Sequence, residues 1–352
     1  MSETKTISEL TCPVPLANRD TVLLGHGSGG KLSAELIRDI FLPAFTNPAL
    51  AKLNDQAVVA FNGSRIAVTT DSFVVSPLFF PGGDIGSLAV HGTINDLAMG
   101  GARPRFLSAA FIIEEGLAME VLRRVVQSLQ AAASNAGVQV ITGDTKVVEK
   151  GKGDGLFINT TGIGFVEDGI SLSADQARSG DKVLLSGSIG EHGIAILAQR
   201  EGLEFETTIE SDSAALHGLV AEMLKASKNI RCMRDPTRGG VSSALNEIAA
   251  QSNVGIELDD RSIPIREEVR GACEMLGLDP LYVANEGKLI AIVDANNADD
   301  LLAAMRKHPF GREAQIVGTV TKQNPGRVTM RTQLGTTRIV DMLAGDQLPR
   351  IC

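Results

Sequence analysis

Apolar positions along the chain follow two alternating rhythms. The run NGSRIAVTTDSFVV (62–75) alternates like a strand and ends on polar residues. GSLAVHGTINDLAMGGA (86–102) instead sets Val90, Ile94 and Leu97 at i, i+4 and i+7, the spacing of one helix face. PRFLSAAFII (104–113) predicts a strand, and AMEVLRRVVQSLQAAASNAG (118–137) a long amphipathic helix stopped by Gly137. VQVITGDTKVV (138–148) and GLFINTTGIGFVE (155–167) predict two more strands. DGISLSADQARSGD (168–181) breaks the rhythm and reads as a domain junction. A second set follows, with strands in 181–190, 286–294 and 314–322, a helix entered from DPTRGG (235–240) and another at 297–308. The pattern predicts an α+β chain of two domains, 20–166 and 167–336, after a loose leader (1–19) and before a mobile tail (337–352).

Composition narrows the function classes. A chain of 352 residues with 43% hydrophobic and 21% charged positions has material for two real cores. A net charge of −9 argues against a nucleic-acid partner or an anionic membrane surface, and with no Trp and one Tyr a base-stacking platform is not expected. No apolar run approaches the ~18 residues of a membrane span, and the polar N-terminus lacks the apolar stretch of a signal peptide. The four cysteines, Cys12, Cys232, Cys273 and Cys352, have neither zinc-site spacing nor the look of a disulfide framework. A reduced cytoplasm is expected.

Chemistry is suggested at several places. GHGSGGKL (25–32) matches a phosphate-binding P-loop up to Lys31, but Leu32 stands where a metal-binding hydroxyl is needed. A true P-loop, a plain connector, and a flap bringing N–H groups and Lys31 to a phosphate from another side all remain open. Asp55, Asp71, Asp96 and Asp144 each end or border an apolar run, so each is expected at the rim of a packed sheet. One such Asp is a capping residue in the ordinary case. Four together suit Mg²⁺, which takes carboxylate and phosphate oxygens. Lys146 shares a strand face with Asp144. Arg238, in the glycine-rich entry to a helix, could reach a phosphate. Asp235 reads as a metal ligand or an N-cap, with Thr237 a rival cap. His91 and Asn95 share a helix face, His91 being a site residue or a contact residue. Glu286 reads as a base or a turn residue. Cys232 and Cys273 are expected to be inert.

The final residues, PRIC, put a thiol on the last position. About ten free residues span on the order of 17 Å as a coil and up to ~35 Å extended, so a tail could carry Cys352 between two sites. Its own carboxylate and Arg350 oppose one another, so a strongly acidic thiol is not expected.

HGSGGK, TTDSFVV, HGTINDLAMGGARP, TGDTKVV, DPTRGGV, NEGKL and terminal PRIC, in this order from residue 26 to 352, closely resemble the HypE family of hydrogenase maturation factors. That family lies within the ATP-binding superfamily of aminoimidazole ribonucleotide synthetase. The resemblance implies a two-domain fold of that type whose N-terminal domains pair through a shared β-barrel into a homodimer. It also implies ATP and Mg²⁺ at Asp55, Asp71, Asp96 and Asp144, with Lys31, Asn95 and Gly143 in nucleotide-binding motifs and Asp235 a further metal ligand. A carbamoyltransferase, HypF, would load Cys352, and ATP-dependent dehydration would turn the carbamoyl group into a thiocyanate. The HypC–HypD complex would then take the nitrile for the iron of a [NiFe]-hydrogenase. Lys146 and Arg238 are expected at the transferring phosphoryl group, with Glu286 as base and His91 as second candidate.

Overall fold

The structure is a computed structural model and describes residues 21–203, 208–345, 348 and 350–352. The expected leader and Pro349 lie outside the described residues. The chain enters through a 3-10 turn (Leu24–Gly27), then α1 (Lys31–Leu36), a π turn (Ile37–Phe41) and the short α2 (Leu42–Ala44). There follow β1 (Ala57–Phe61), β2 (Ser64–Phe73), β3 (Phe79–Phe80), β4 (Gly83–Asp84), α3 (Ile85–Met99), β5 (Ala102–Glu114), α4 (Met119–Asn135), β6 (Gln139–Val148) and β7 (Leu156–Val166). The first sheet runs β1-β2-β7-β5-β6 and is mixed, because α4 is the crossover that makes β5 and β6 parallel. It is open, with β1 and β6 as its edges.

The predicted elements of this half are all present, and α3 positions the site. Val90, Ile94 and Leu97 face inward as their spacing requires, but so do nearly all other α3 residues, since the helix packs on β2 and β7 and also meets the second domain. Its start is fixed by Asp84, whose carboxylate accepts from the N–H groups of Gly86 (2.7 Å) and Ser87 (3.1 Å). Gly137, with φ 67°, follows the end of α4 as expected.

After the irregular junction come β8 (Lys182–Leu185), α5 (Glu191–Glu201), α6 (His217–Ala226), β9 (Ile230–Arg234), α7 (Gly240–Ser252), β10 (Gly255–Asp259), α8 (Glu267–Leu276), β11 (Ile290–Val293), α9 (Ala298–Lys307), β12 (Gln315–Thr321), β13 (Val328–Arg331) and β14 (Thr337–Val340). Their sheet has the order β14-β13-β10-β12-β8-β11-β9. Its two faces hold separate apolar cores, one around Leu245, Ile248 and Ile292, the other around Leu219, Met223 and Leu301. Residues 337–340, expected at the start of the tail, form β14, paired antiparallel with β13. The end of the chain is docked: Ile351 is buried among Phe73, Val75, Phe80, Leu88 and Ile196. Among the described residues no helix is long and apolar enough to cross a membrane.

Ile94 is fully buried between α4 and β5. Ile94→Ala should lower stability by about 2–5 kcal/mol through lost burial and a residual cavity. Urea unfolding checks this, with an unchanged denaturant slope showing that the fold persists.

Candidate active site

A cleft of about 930 Å³ opens between the two domains, lined among others by Asp55, Asp71, Asp96, Asp235, Arg238, Glu286 and Cys352. Asp55 precedes β1, Asp71 lies near the end of β2 and Asp96 is on the last turn of α3, so the first domain supplies three carboxylates from three elements. Asp235 follows β9, and Glu286 lies on the strap leading into β11. The structure thus brings Asp55, Asp71, Asp96, Asp235, Arg238 and Glu286 to one cleft.

The electrostatics follow from crowding and burial. Burial raises the Asp96 carboxyl well above its usual range, and Asp71, Asp235 and Asp55 push it further. Asp235 is raised by burial and by Asp55 and Asp71. Burial takes Asp71 up to about 6 against the pull of Arg238. Glu286 is raised well above the ordinary value by burial, then by Asp235, Asp71 and Asp212, and one of its carboxyl oxygens is buried without a partner. Two guanidinium groups counter this. Arg234 pairs with Asp55 and, at 3.3 Å, with Glu247. Arg238 donates to the Gly27 carbonyl at 2.8 Å and is held charged by Cys352, Asp71, Glu286 and Asp96. Thr69 Oγ1 lies 2.7 Å from an Asp96 carboxyl oxygen and 2.9 Å from the Asp55 carbonyl oxygen, within hydrogen-bond reach of both, tying two of the acidic segments together.

Glu286 is held by its backbone. Asp212 accepts from the N–H groups of Glu286 (3.0 Å) and Gly287 (3.2 Å) and pairs with Lys288 at 3.0 Å. Asn285 bonds the Pro236 carbonyl, joining this strap to the DPTRGG loop. Gly287 has no room for a side chain, because a Cβ there would lie 1.7 Å from the Asp212 carbonyl oxygen. Cys352 is next to Glu286 and Arg238. Its thiol is raised by burial, Glu286 and Asp71, against Arg238. The weak acidity expected from sequence therefore holds for another reason: Arg350, thought to offset the terminal carboxylate, is ion-paired with Asp154.

Several expected site residues lie elsewhere. Gly143, Asp144 and Lys146 are on the exposed edge strand β6, where Lys146 pairs with Asp144 at 3.1 Å and the pairing keeps the carboxylate low. Asp144 does not line the cleft with the other aspartates. His91 faces Ser213 (3.0 Å) rather than the cleft, and burial lowers it to about 4. Asn95 is a buried clamp: it donates to the Ala214 carbonyl (2.9 Å) and accepts from Leu216 N–H (2.8 Å). Lys31 is drawn to Asp341 at 2.6 Å. The P-loop reading fails for a structural reason, since residues 21–24, where a strand is required, form none, a 3-10 turn spans Leu24–Gly27, and Ser33 closes on the His26 carbonyl. The loop instead walls the cleft through Gly29 and Gly30. The N-cap of α7 is Gly239, so neither Asp235 nor Thr237 has the capping role. Arg234, Asp212, Asn285 and Glu247 were not found from sequence; nothing in the spacing marks a charge that is buried only because the other domain covers it.

Residues 53–166 match the model of the AIR synthase related protein N-terminal domain, and 178–331 that of the C-terminal domain. The chain is 61% identical over 332 residues, 94% of this chain and 97% of the relative, to carbamoyl dehydratase HypE of Azotobacter vinelandii. A crystal structure of HypE in complex with ATP matches with TM-score 0.80 at 51% identity, covering 94% of this chain and 100% of that one. A HypE–HypF complex matches with TM-score 0.84 at 48% identity, covering 88% and 99%. The fold and cleft thus define an AIR synthase related protein, with an acidic site between its two α+β domains. Within that class, the chain belongs to the HypE carbamoyl dehydratase family.

Asp71 titrates near 6 folded and near its ordinary 3.8 unfolded. Between these values the unfolded chain loses its proton first, so stability falls as pH rises through the window, and the loss is complete above it. Melting temperature measured without nucleotide or metal should fall from pH 4 toward pH 6, and Asp71→Asn should flatten that fall.

Proposed function

We propose that the chain dehydrates a carbamoyl group carried on the Cys352 sulfur, using ATP, and so makes the thiocyanate from which the cyanide ligands of a [NiFe]-hydrogenase iron derive. The observation that carries this reading is the convergence of Cys352, Glu286 and Arg238 at one end of the acidic cleft. The relative solved with ATP supports the nucleotide. The amide oxygen is a poor leaving group. Its attack on the γ-phosphorus breaks the bond to ADP, a proton leaves the nitrogen, and departure of phosphate with loss of the second N–H proton gives S–C≡N. Glu286, immobile and with a raised carboxyl, is a strong proton acceptor once ionised and is the base in this reading. Arg238 neutralises charge on the transferring phosphoryl group. The tail closing over the cleft excludes water that would otherwise hydrolyse ATP.

The carboxylates suit Mg²⁺ by donor type and by their mutual repulsion. Asp55 is already paired with Arg234, and among the described residues no three ligands form a ready-made cage. Asp71, Asp96 and Asp235 together with phosphate oxygens would hold the ion, in keeping with its preference for few carboxylates. When bound, it would supply charge neutralisation on the phosphates.

Asp144 and Lys146 enter this reading through a homodimer. Edge strand β6 leaves Ile141 57% and Val147 66% exposed, and the opposite edge leaves Phe61 63% exposed, an uncovered apolar face suited to pairing with a second copy. A carbamoyltransferase of the HypF type is the loading partner, as a relative crystallised with HypF suggests. The HypC–HypD complex is the acceptor, and the cytoplasm is the setting.

Protein loaded with the Cys352 thiocarboxamide and given MgATP should lose the mass of one water from its C-terminal peptide. Cys352→Ala should abolish the product, and Glu286→Gln should slow it on the order of 10²–10⁴-fold while ATP still binds. A phosphopeptide as the stable end product would sink the reading. For the dimer, Lys146→Ala and Cys352→Ala chains, each inactive, should regain activity when mixed and exchanged if Lys146 serves the other subunit's cleft. No recovery would confine Lys146 to its own chain or remove it from the reaction.

A further inference from the structure

The docked end of the chain is read mainly through its backbone. Three consecutive carbonyls have donors: Arg350 from Ser76 N–H (3.2 Å) and Arg200 (2.7 Å), Ile351 from His192 Nε2 (2.8 Å), and Cys352 from Val74 N–H (3.0 Å). The bonds from Val74 and Ser76 set the tail beside the chain leaving β2, with Arg350 in the left-handed region (φ 54°), so the tail is held through its backbone oxygens without forming a strand. The one buried tail side chain here is Ile351. Such a set of contacts is specific yet small enough to be released.

His192 differs from the other donors because it is fully buried on the first turn of α5 and its tautomer is decided by its surroundings. Its Nδ1 lies 2.7 Å from Ser211 Oγ. The Ile351 carbonyl can only accept, so Nε2 carries the hydrogen that it receives. In the neutral ring Nδ1 is then the acceptor and takes the Ser211 hydroxyl proton, while Ser211 Oγ accepts from Ser213 N–H at 3.1 Å. Phe80 packs edge-on against the ring, with centroids 5.6 Å apart, and fixes its plane. Burial also keeps the imidazole neutral by lowering its pKa.

We propose that His192, oriented through Nδ1 by Ser211 with its Nε2 toward the tail, is a positioning residue: its bond to the Ile351 carbonyl selects the docked tail and so sets how often the Cys352 sulfur stands at Glu286. The claim rests on the reading of Cys352 as substrate carrier. Undocking costs this bond and leaves a buried donor unsatisfied, so His192 biases the balance between a tail open to a loading enzyme and a tail committed to dehydration.

The test uses the full chain in a Cys12→Ser background, in which Cys232 and Cys273 are buried and Cys352 is the reactive thiol. Reaction of Cys352 with a disulfide reagent reports the undocked fraction, because the docked thiol is partly buried and held weakly acidic by burial and by Glu286. His192→Leu should raise this rate about tenfold. It should lower single-turnover dehydration of the loaded tail by a similar factor, with ATP affinity unchanged. His192→Gln, which can return an N–H donor, should restore both in part. Ile351→Asp leaves the His192 site intact and should open the tail as well, which keeps the test decisive if His192→Leu does not fold. A folded His192→Leu protein with wild-type Cys352 reactivity overturns the proposal, as does slowed dehydration without any rise in reactivity. If the wild-type loaded tail yields no nitrile, the carrier reading fails, while thiol reactivity still reports separately whether His192 docks the tail.

Discussion

The structure depends on a crowding of like charge. Asp55, Asp71, Asp96, Asp235 and Glu286 share one partly buried cleft; burial raises every one of them, and Asp96, Asp235 and Glu286 are pushed further by other members of the set. Among the described residues, Arg234 and Arg238 oppose them from within. Burial and mutual repulsion favour the protonated form of several of these carboxyls. In the proposed reading, a cation arriving with its own anionic ligand would displace those protons and relieve the repulsion, so that the crowding would become affinity for a metal-bound polyphosphate. Proton release on nucleotide binding would be the thermodynamic counterpart.

The fold serves that crowding by dividing it. The first domain supplies three aspartates from β1, β2 and α3; the second supplies Asp235 and Glu286 from the loops around β9 and β11. Neither domain alone buries the full set. Arg234 comes from the second domain and pairs with Asp55 of the first, so the ion pair that moderates the charge also joins the halves. Removing one partner of such a pair leaves a buried charge uncompensated, which costs about 3–5 kcal/mol, and this ties the integrity of the site to domain closure. Asn95 adds a second link, from α3 to the segment before α6.

Much of this was legible in the sequence, for reasons that can be named. Strands and helices with clear period, such as β2, α4 and α7, follow from hydrophobic spacing alone. Aspartates flanked by apolar runs announced the acidic rim. Other features depend on contacts between distant segments. Asp144 looks like its three siblings in sequence, but β6 is an edge strand, and edge position depends on strand order, which no local pattern encodes. His91 and Asn95 share a helix face as their spacing demands, yet that face turns to the loop around 211–216 and not to the cleft. The tail looked featureless because it is held through its own backbone oxygens by groups more than a hundred residues away, and a backbone oxygen leaves no mark in composition.

The docked tail also resolves a tension in the chemistry. A thiol that must be loaded should be exposed and reactive, whereas a carbamoyl group undergoing dehydration should be dry and immobile. One rigid position cannot satisfy both. The structure holds the docked position with hydrogen bonds to the backbone oxygens of residues 350–352 and one buried isoleucine, together worth only a few typical hydrogen bonds of ~1 kcal/mol each net. Around docked Cys352, burial and the neighbouring carboxyls keep the thiol protonated, so a docked but unloaded tail is a poor nucleophile. In the reading proposed above, nucleophilic capture of a carbamoyl group would fall to the released tail and its dehydration to the docked one, so that the same sulfur would meet the two reactions in order without a separate gate.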